Sequence, residues 1–168
     1  MKRLLLLRHA KSSWEVEGLH DYFRPLNERG YADAPIMGQF IHNQQVLPEL
    51  VVASPAIRTY TTASIVMQQL KMSQNSLKLH STLYDSGIED YLKVVSELYN
   101  RHETVLLVGH NSSISDLLNT LLKTTDLYLP TCGLAVLEIQ TDQWHEIGSA
   151  GAQLILMTTP KQLKGQLD

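Results

Sequence analysis

Five short apolar runs divide this chain: Leu4–Leu7, Leu50–Ala53, Val105–Val108, Leu134–Ile139 and Leu154–Met157. Each is of strand length and none alternates with polar residues, so each is predicted to be a strand buried on both faces. Between them, Ile36/Phe40/Ile41, Ile65/Val66/Leu70, Leu92/Val95/Tyr99 and Ile114/Leu117/Leu118/Leu121 recur at helical spacing. Strand–helix alternation predicts an α/β fold of three layers, α/β/α, around a mostly parallel central sheet. Pro35 predicts that the first helix is regular only beyond it, or kinked there. The last two runs flank Gln140–Gly151 closely enough to form a hairpin at one edge of the sheet.

A chain of 168 residues is the size of one domain, taken as 1–168, and long enough to bury a core without staples. Hydrophobic residues at 43% and charged residues at 18% exclude a disordered chain. A net charge of −3 gives no general attraction to nucleic acid. No run approaches the ~18 apolar residues of a membrane span. Leu4–Leu7, cut off by Arg8 and His9, falls short of the ~7–15 residues of an export signal. The single cysteine, Cys132, excludes an internal disulfide and is expected as a buried, inert thiol. A cytoplasmic domain is the expectation.

Three strands end in chemistry. The first runs into Arg8 and His9. The second runs into Ser54-Pro55-Ala56, where Ser54 is expected to cap a helix with Pro55 at its first position and Arg58 in its first turn. The third runs into Gly109, His110 and Asn111 before another helix. In a parallel α/β sheet the carboxyl ends of strands share one edge, where ligands bind. Neighbouring strands would therefore gather Arg8, His9, Arg58 and His110 into a pocket for a dianion, and phosphate suits it. Arginine forks match phosphoryl oxygens bidentately, and helix N-termini add to the attraction. A histidine there has two possible jobs, nucleophile or proton donor. The Lys-Ser/Thr step of a nucleotide-binding loop is missing after Gly109, so nucleotide binding is discarded.

RHAKSSW at residues 8–14, Asp21-x-x-Arg24-Pro25-Leu26, Glu28-Arg29-Gly30, Ser54-Pro55-Ala56-x-Arg58, Thr62-Ala63, LVGHN at 107–111 and Trp144 follow one another in order. Together they resemble the histidine phosphatase superfamily, with its phosphoglycerate mutase-like fold, and more closely its small SixA-type phosphohistidine phosphatases. The resemblance spans nearly the whole chain and leaves no room for a large cap insertion. It implies that His9 is the nucleophile that becomes a phosphohistidine intermediate, that Arg8 and Arg58 bind the phosphoryl group, and that His110 donates to a phosphoryl oxygen. Family members acting on esters also carry a carboxylic general acid after mid-chain. Here LYDSGIED offers Asp85, with Glu89 in reserve, an aspartate where mutases have glutamate. Ser12, Asn111 and Arg24 are further candidates for substrate binding.

The imidazole of a phosphohistidine can leave neutral without strong acid catalysis, whereas an alkoxide needs a proton. The expected activity is therefore a metal-independent phosphatase, without cofactor, that removes phosphate from phosphohistidine in a protein. Its partner is a phosphotransfer domain or a small phosphorylated metabolite, with neither nucleic acid nor membrane involved. The rival readings are a small-molecule phosphomonoesterase, a mutase, and a phosphoprotein-binding domain without catalysis. His20, His42, His80, His102 and His145 show no metal-ligand spacing and are read as surface histidines.

Overall fold

Each residue of Leu4–Leu7 is fully buried in the computed structural model, which describes residues 1–166. The reason is the pleat. Leu4 and Leu6 point into one core and Leu5 and Leu7 into another, on opposite faces of the sheet. A strand covered on both sides has no polar face, which is why the run does not alternate.

That strand, β1 (Lys2–Arg8), is followed by α1 (Glu28–Asn43), β2 (Leu50–Ala53), α2 (Ile57–Gln69), β3 (Leu77–Leu79), α3 (Ile88–Ser96), β4 (Thr104–Gly109) and α4 (Ser113–Leu122). The chain then forms β5 (Leu134–Ile139), β6 (Ala152–Thr158) and the short α5 (Pro160–Gly165). The sheet order is β3-β2-β4-β1-β5-β6. β1, β2, β3 and β4 pair in parallel, while β5 and β6 run antiparallel at one side. Helices α1, α2 and α5 supply one core, and α3 and α4 with Trp144 supply the other. This is the three-layer, mostly parallel α/β/α arrangement expected of a phosphoglycerate mutase-like chain. No helix among the described residues is long and apolar enough to cross a membrane.

Several local expectations are corrected. β6 is not buried on both faces: its residues alternate, and Ile155 is exposed, because it is the outer strand of the β5–β6 hairpin. β3 and α5 carry too few apolar residues to have stood out. α1 runs through Pro35 and begins seven residues before it, where Asn27 caps it by accepting the Gly30 N–H at 2.9 Å. α3 stops at Ser96, leaving Tyr99 outside it and exposed. α2 starts at Ile57 with Ala56 as its cap, so Ser54 does not cap it. Cys132 is fully buried, as expected, and burial pushes its thiol far up.

β1, β4 and β2 are adjacent and parallel, with Arg8 beside Gly109 and Ala53 beside Val108. Their carboxyl ends therefore share one edge, and the polar residues that follow them are brought side by side.

Candidate active site

His9 leaves β1 with its ring 5.4 Å, centroid to centroid, from that of His110, which leaves β4. His9 is 7% exposed and its Nδ1 lies 2.7 Å from the Ala10 carbonyl oxygen. A carbonyl only accepts, so Nδ1 carries the proton and Nε2 is left with its lone pair. Burial pushes the ring's pKa down to about 3; the Ala10 contact opposes this, and His110, Arg58 and Arg8 reinforce it. His9 is thus a neutral imidazole with a nucleophilic nitrogen across the physiological range.

His110 is held at two points. Its backbone N–H donates to Tyr91 Oη at 2.9 Å, and that hydroxyl donates to the Leu83 carbonyl at 3.0 Å. Its Nε2 lies 2.8 Å from Ser54 Oγ, which itself accepts the Ala56 N–H at 3.3 Å. Ser54 Oγ and His110 Nε2 thus share one hydrogen bond, and His110 Nδ1 is left without a partner. Burial, then the charge of Arg58, lowers this ring's pKa to about 4. Gly109 makes the arrangement possible: a Cβ there would fall 2.6 Å from Tyr91 Oη.

Arg58, on the first turn of α2, is 7% exposed. It donates from Nη1 to the Asp21 carbonyl at 2.8 Å and from Nη2 to Asp21 Oδ2 at 2.9 Å. Asp21 also accepts from Arg24 Nη1 at 3.0 Å and from Tyr84 Oη at 3.0 Å. Although burial pushes its carboxyl up, the hydrogen bonds from Arg24, Arg58 and Tyr84 hold it down at about 2. Arg8 donates from Nη1 to Tyr128 Oη at 2.9 Å and to the Leu129 carbonyl at 3.3 Å.

Six buried side-chain nitrogen or oxygen atoms among the described residues have no hydrogen-bond partner, and three of them are Arg8 Nε, Arg58 Nε and His110 Nδ1. An orphaned buried donor costs about 1–3 kcal/mol, so such groups are rare without a functional reason. Here three come from three strand ends that meet at one edge. Together with His9 they offer uncommitted polar atoms of the kind that meet the oxygens of a phosphoryl group.

The remaining candidates are placed as follows. Asp85, exposed and at a positive φ of 51°, borders a cavity of about 470 Å³ that also touches His110, Ser86, Asp90 and Ser113. Glu89 is exposed on the first turn of α3 and does not line that cavity. The Asn111 amide is engaged elsewhere, donating to the Leu129 carbonyl at 2.9 Å and accepting from Ser115 at 2.7 Å. Ser12 accepts from Arg24 Nη2 at 2.5 Å, and Arg24 also donates to the Ser13 carbonyl at 3.1 Å. Arg24 is linked to Arg58 through Asp21, and Ser12 through Arg24 and Asp21 in turn. Sequence reasoning took Ser54 only as a helix cap and Asp21 only as part of the Asp21–Leu26 motif, and it did not single out Tyr84, Tyr91 or Tyr128. No group of three or more His, Cys, Asp or Glu side chains is arranged for a metal ion among the described residues.

The family profile of the histidine phosphatase superfamily (branch 1) matches residues 4–85, a span containing Arg8, His9 and Arg58. An uncharacterized chloroplastic protein of Arabidopsis thaliana is 29% identical over 153 residues, covering 86% of this chain and 70% of that one. SixA from Agrobacterium tumefaciens, described as a candidate phosphohistidine phosphatase, superposes with a TM-score of 0.80 at 29% identity over 95% of this chain and 98% of that one. A mycobacterial glucosyl-3-phosphoglycerate phosphatase shares the fold at 18% identity, with a TM-score of 0.71 over 93% of this chain and 98% of that one. On its motifs, its fold and these likenesses, the chain is similar to the histidine phosphatase superfamily and, within it, to the SixA structures.

Proposed function

We propose that the chain is a phosphatase that works through a phosphohistidine on His9 and acts on phosphohistidine borne by a protein. The observation that carries this reading is the convergence, at the shared edge of β1, β4 and β2, of His9 and His110, their rings 5.4 Å apart, with Arg8 and Arg58, whose Nε atoms are buried and unpaired. In the first step Nε2 attacks phosphorus, a P–Nε2 bond forms, and the bond to the leaving group breaks with its electron pair going to that group. Arg8, Arg58 and His110 meet the charge on the equatorial oxygens. In the second step water displaces phosphate from His9, restoring the lone pair, and its proton passes to Asp85 or to solvent.

Two features support a phosphohistidine substrate. Asp85, the candidate acid, is exposed at the cavity rim, and no hydrogen bond fixes it among the described residues. An imidazole leaving group tolerates that; an alkoxide does not. Trp14, Phe23 and Tyr128 are exposed by 74%, 55% and 61%; Tyr128 contacts Arg8, Phe23 shares its turn with Asp21, the partner of Arg58, and Trp14 packs on Arg24, which pairs with Asp21. Exposed aromatics around a pocket suit contact with a protein surface.

The test is kcat/KM on a phosphohistidine-bearing phosphotransfer domain and on a panel of phosphate esters, in EDTA, with His9→Ala as the blank. The expected result is a preference well beyond tenfold for phosphohistidine, an acid-labile phosphoenzyme in the wild type and none in His9→Ala. A preference for an ester, crippled by Asp85→Asn, would make the chain a small-molecule phosphomonoesterase instead. Undiminished turnover by His9→Ala would remove the mechanism.

A further inference from the structure

A carboxylate in a phosphate pocket works against the binding it adjoins. Asp21 nevertheless lies directly on Arg58, with an ion pair at 2.9 Å. The surrounding contacts show what it does there. Arg24 and Tyr84 both donate to the Asp21 carboxylate, and Arg24 is itself fixed by Ser12 and the Ser13 carbonyl. The far side of Arg24 packs on Trp14, its guanidinium carbon 3.2 Å from the ring centroid. Asp21 is therefore braced from behind, and it spends both its backbone carbonyl and its Oδ2 on the two terminal nitrogens of Arg58.

An arginine on its own has rotamer freedom that it must surrender to bind an anion. Engaging one hydrogen each of Nη1 and Nη2 from one side leaves Nε, which has no partner in the protein, and the second hydrogens of both terminal nitrogens uncommitted. We propose that Asp21 is a positioning residue: it gives up Coulombic attraction for phosphate in order to hold the Arg58 guanidinium in the orientation that receives the phosphoryl group. The proposal rests on the phosphatase reading above only for the identity of the anion. The carboxylate remains ionised throughout the working range, since its pKa is held at about 2.

The two effects of removing the charge have opposite signs, which makes the test decisive. By Coulomb's law alone, Asp21→Asn removes a repelling charge and should tighten binding of inorganic phosphate several-fold. Loss of positioning should weaken it, by about tenfold or more, because a small misplacement of a binding group is costly. The measurement is calorimetric titration of inorganic phosphate into the wild type, Asp21→Asn, Arg58→Ala and the double variant, with kcat and KM alongside.

The expected result is weaker binding and a lower kcat in Asp21→Asn, but unchanged or tighter binding when the same change is made in the Arg58→Ala background. Tighter binding in the single variant, or an equal loss in both backgrounds, would overturn the proposal. Tyr84→Phe, which removes one tether of the carboxylate, serves if Asp21→Asn does not fold. It should weaken phosphate binding less but in the same direction, and no change would overturn the proposal. Calorimetry needs no turnover, so a wild type that binds phosphate without forming a phosphoenzyme would end the phosphatase reading and leave this one standing. A wild type that binds no phosphate would end both.

Discussion

Acidification to pH 5 should destabilise this protein through the two histidines of its pocket, by an amount the structure sets. An ordinary histidine titrates near 6.5, whereas burial holds His9 at about 3 and His110 at about 4. In the folded protein both rings stay neutral well below pH 6.5, while in the unfolded chain both take up protons as the pH falls through that value. The unfolded state then binds more protons, so stability that is fully present above pH 6.5 is lost progressively down to the folded values. At pH 5, about 1.5 units below the unfolded value, each ring accounts for about 2 kcal/mol at ~1.36 kcal/mol per unit, and the pair for about 4 kcal/mol. That is a large part of the ~5–15 kcal/mol that holds a domain folded. Urea unfolding of the wild type, His9→Ala and His110→Ala at pH 7.5 and pH 5 reads the effect. Each variant loses bulk at both pH values, so the informative quantity is the loss between them, which should be about 2 kcal/mol smaller in each variant than in the wild type. Equal losses in all three proteins would refute the claim that burial keeps these rings neutral.

Two smaller changes address how His110 is held. Ser54→Ala removes the partner of Nε2 and with it the tether that orients the ring, so kcat should fall by about tenfold or more while stability falls by only about 1 kcal/mol, measured by steady-state kinetics and urea unfolding. Gly109→Ala would set a Cβ 2.6 Å from Tyr91 Oη, and the displaced phenol should cost about 1–3 kcal/mol by urea unfolding and lower kcat in step, since the same hydroxyl accepts from the His110 backbone.

The fold was legible where one physical constraint acted alone. Leu4–Leu7 and the first four residues of β5, Leu134 to Leu137, pack into the two cores on opposite faces of the sheet, and the need for two apolar faces wrote itself into uninterrupted runs. Where constraints were mixed, the pattern blurred. β3 is three residues long and half exposed, and β6 is covered on one face only, so neither presents a run with a clear period. Pro35 illustrates a different limit. It removes one hydrogen bond, but α1 is anchored at Asn27 and packed through Ala34, Met37 and Ile41, and that burial carries the helix across the break.

At the site, the residues visible beforehand were those that follow strands directly, because the sheet itself aligns them: Arg8 and Gly109 are register partners. What tunes them arrives from segments without any period. Asp21 belongs to a single turn of 3-10 helix, Tyr84 to the stretch before α3, and Tyr91 to the buried face of α3, where an aromatic reads as core. Tyr91 is core in that sense, yet its hydroxyl accepts the His110 N–H while donating to Leu83. Ser54 was read as a helix cap because serine before Pro55 usually is one; its hydroxyl instead faces across the sheet edge to His110, which a register of Ala53 beside Val108 puts within reach. Function in this chain thus divides between two kinds of information. Strand ends declare which groups do the chemistry, and those can be read in order along the sequence. The orientation of the His110 ring and the aim of Arg58 depend on hydrogen bonds between residues 56 and 37 positions apart, which only the folded chain brings together.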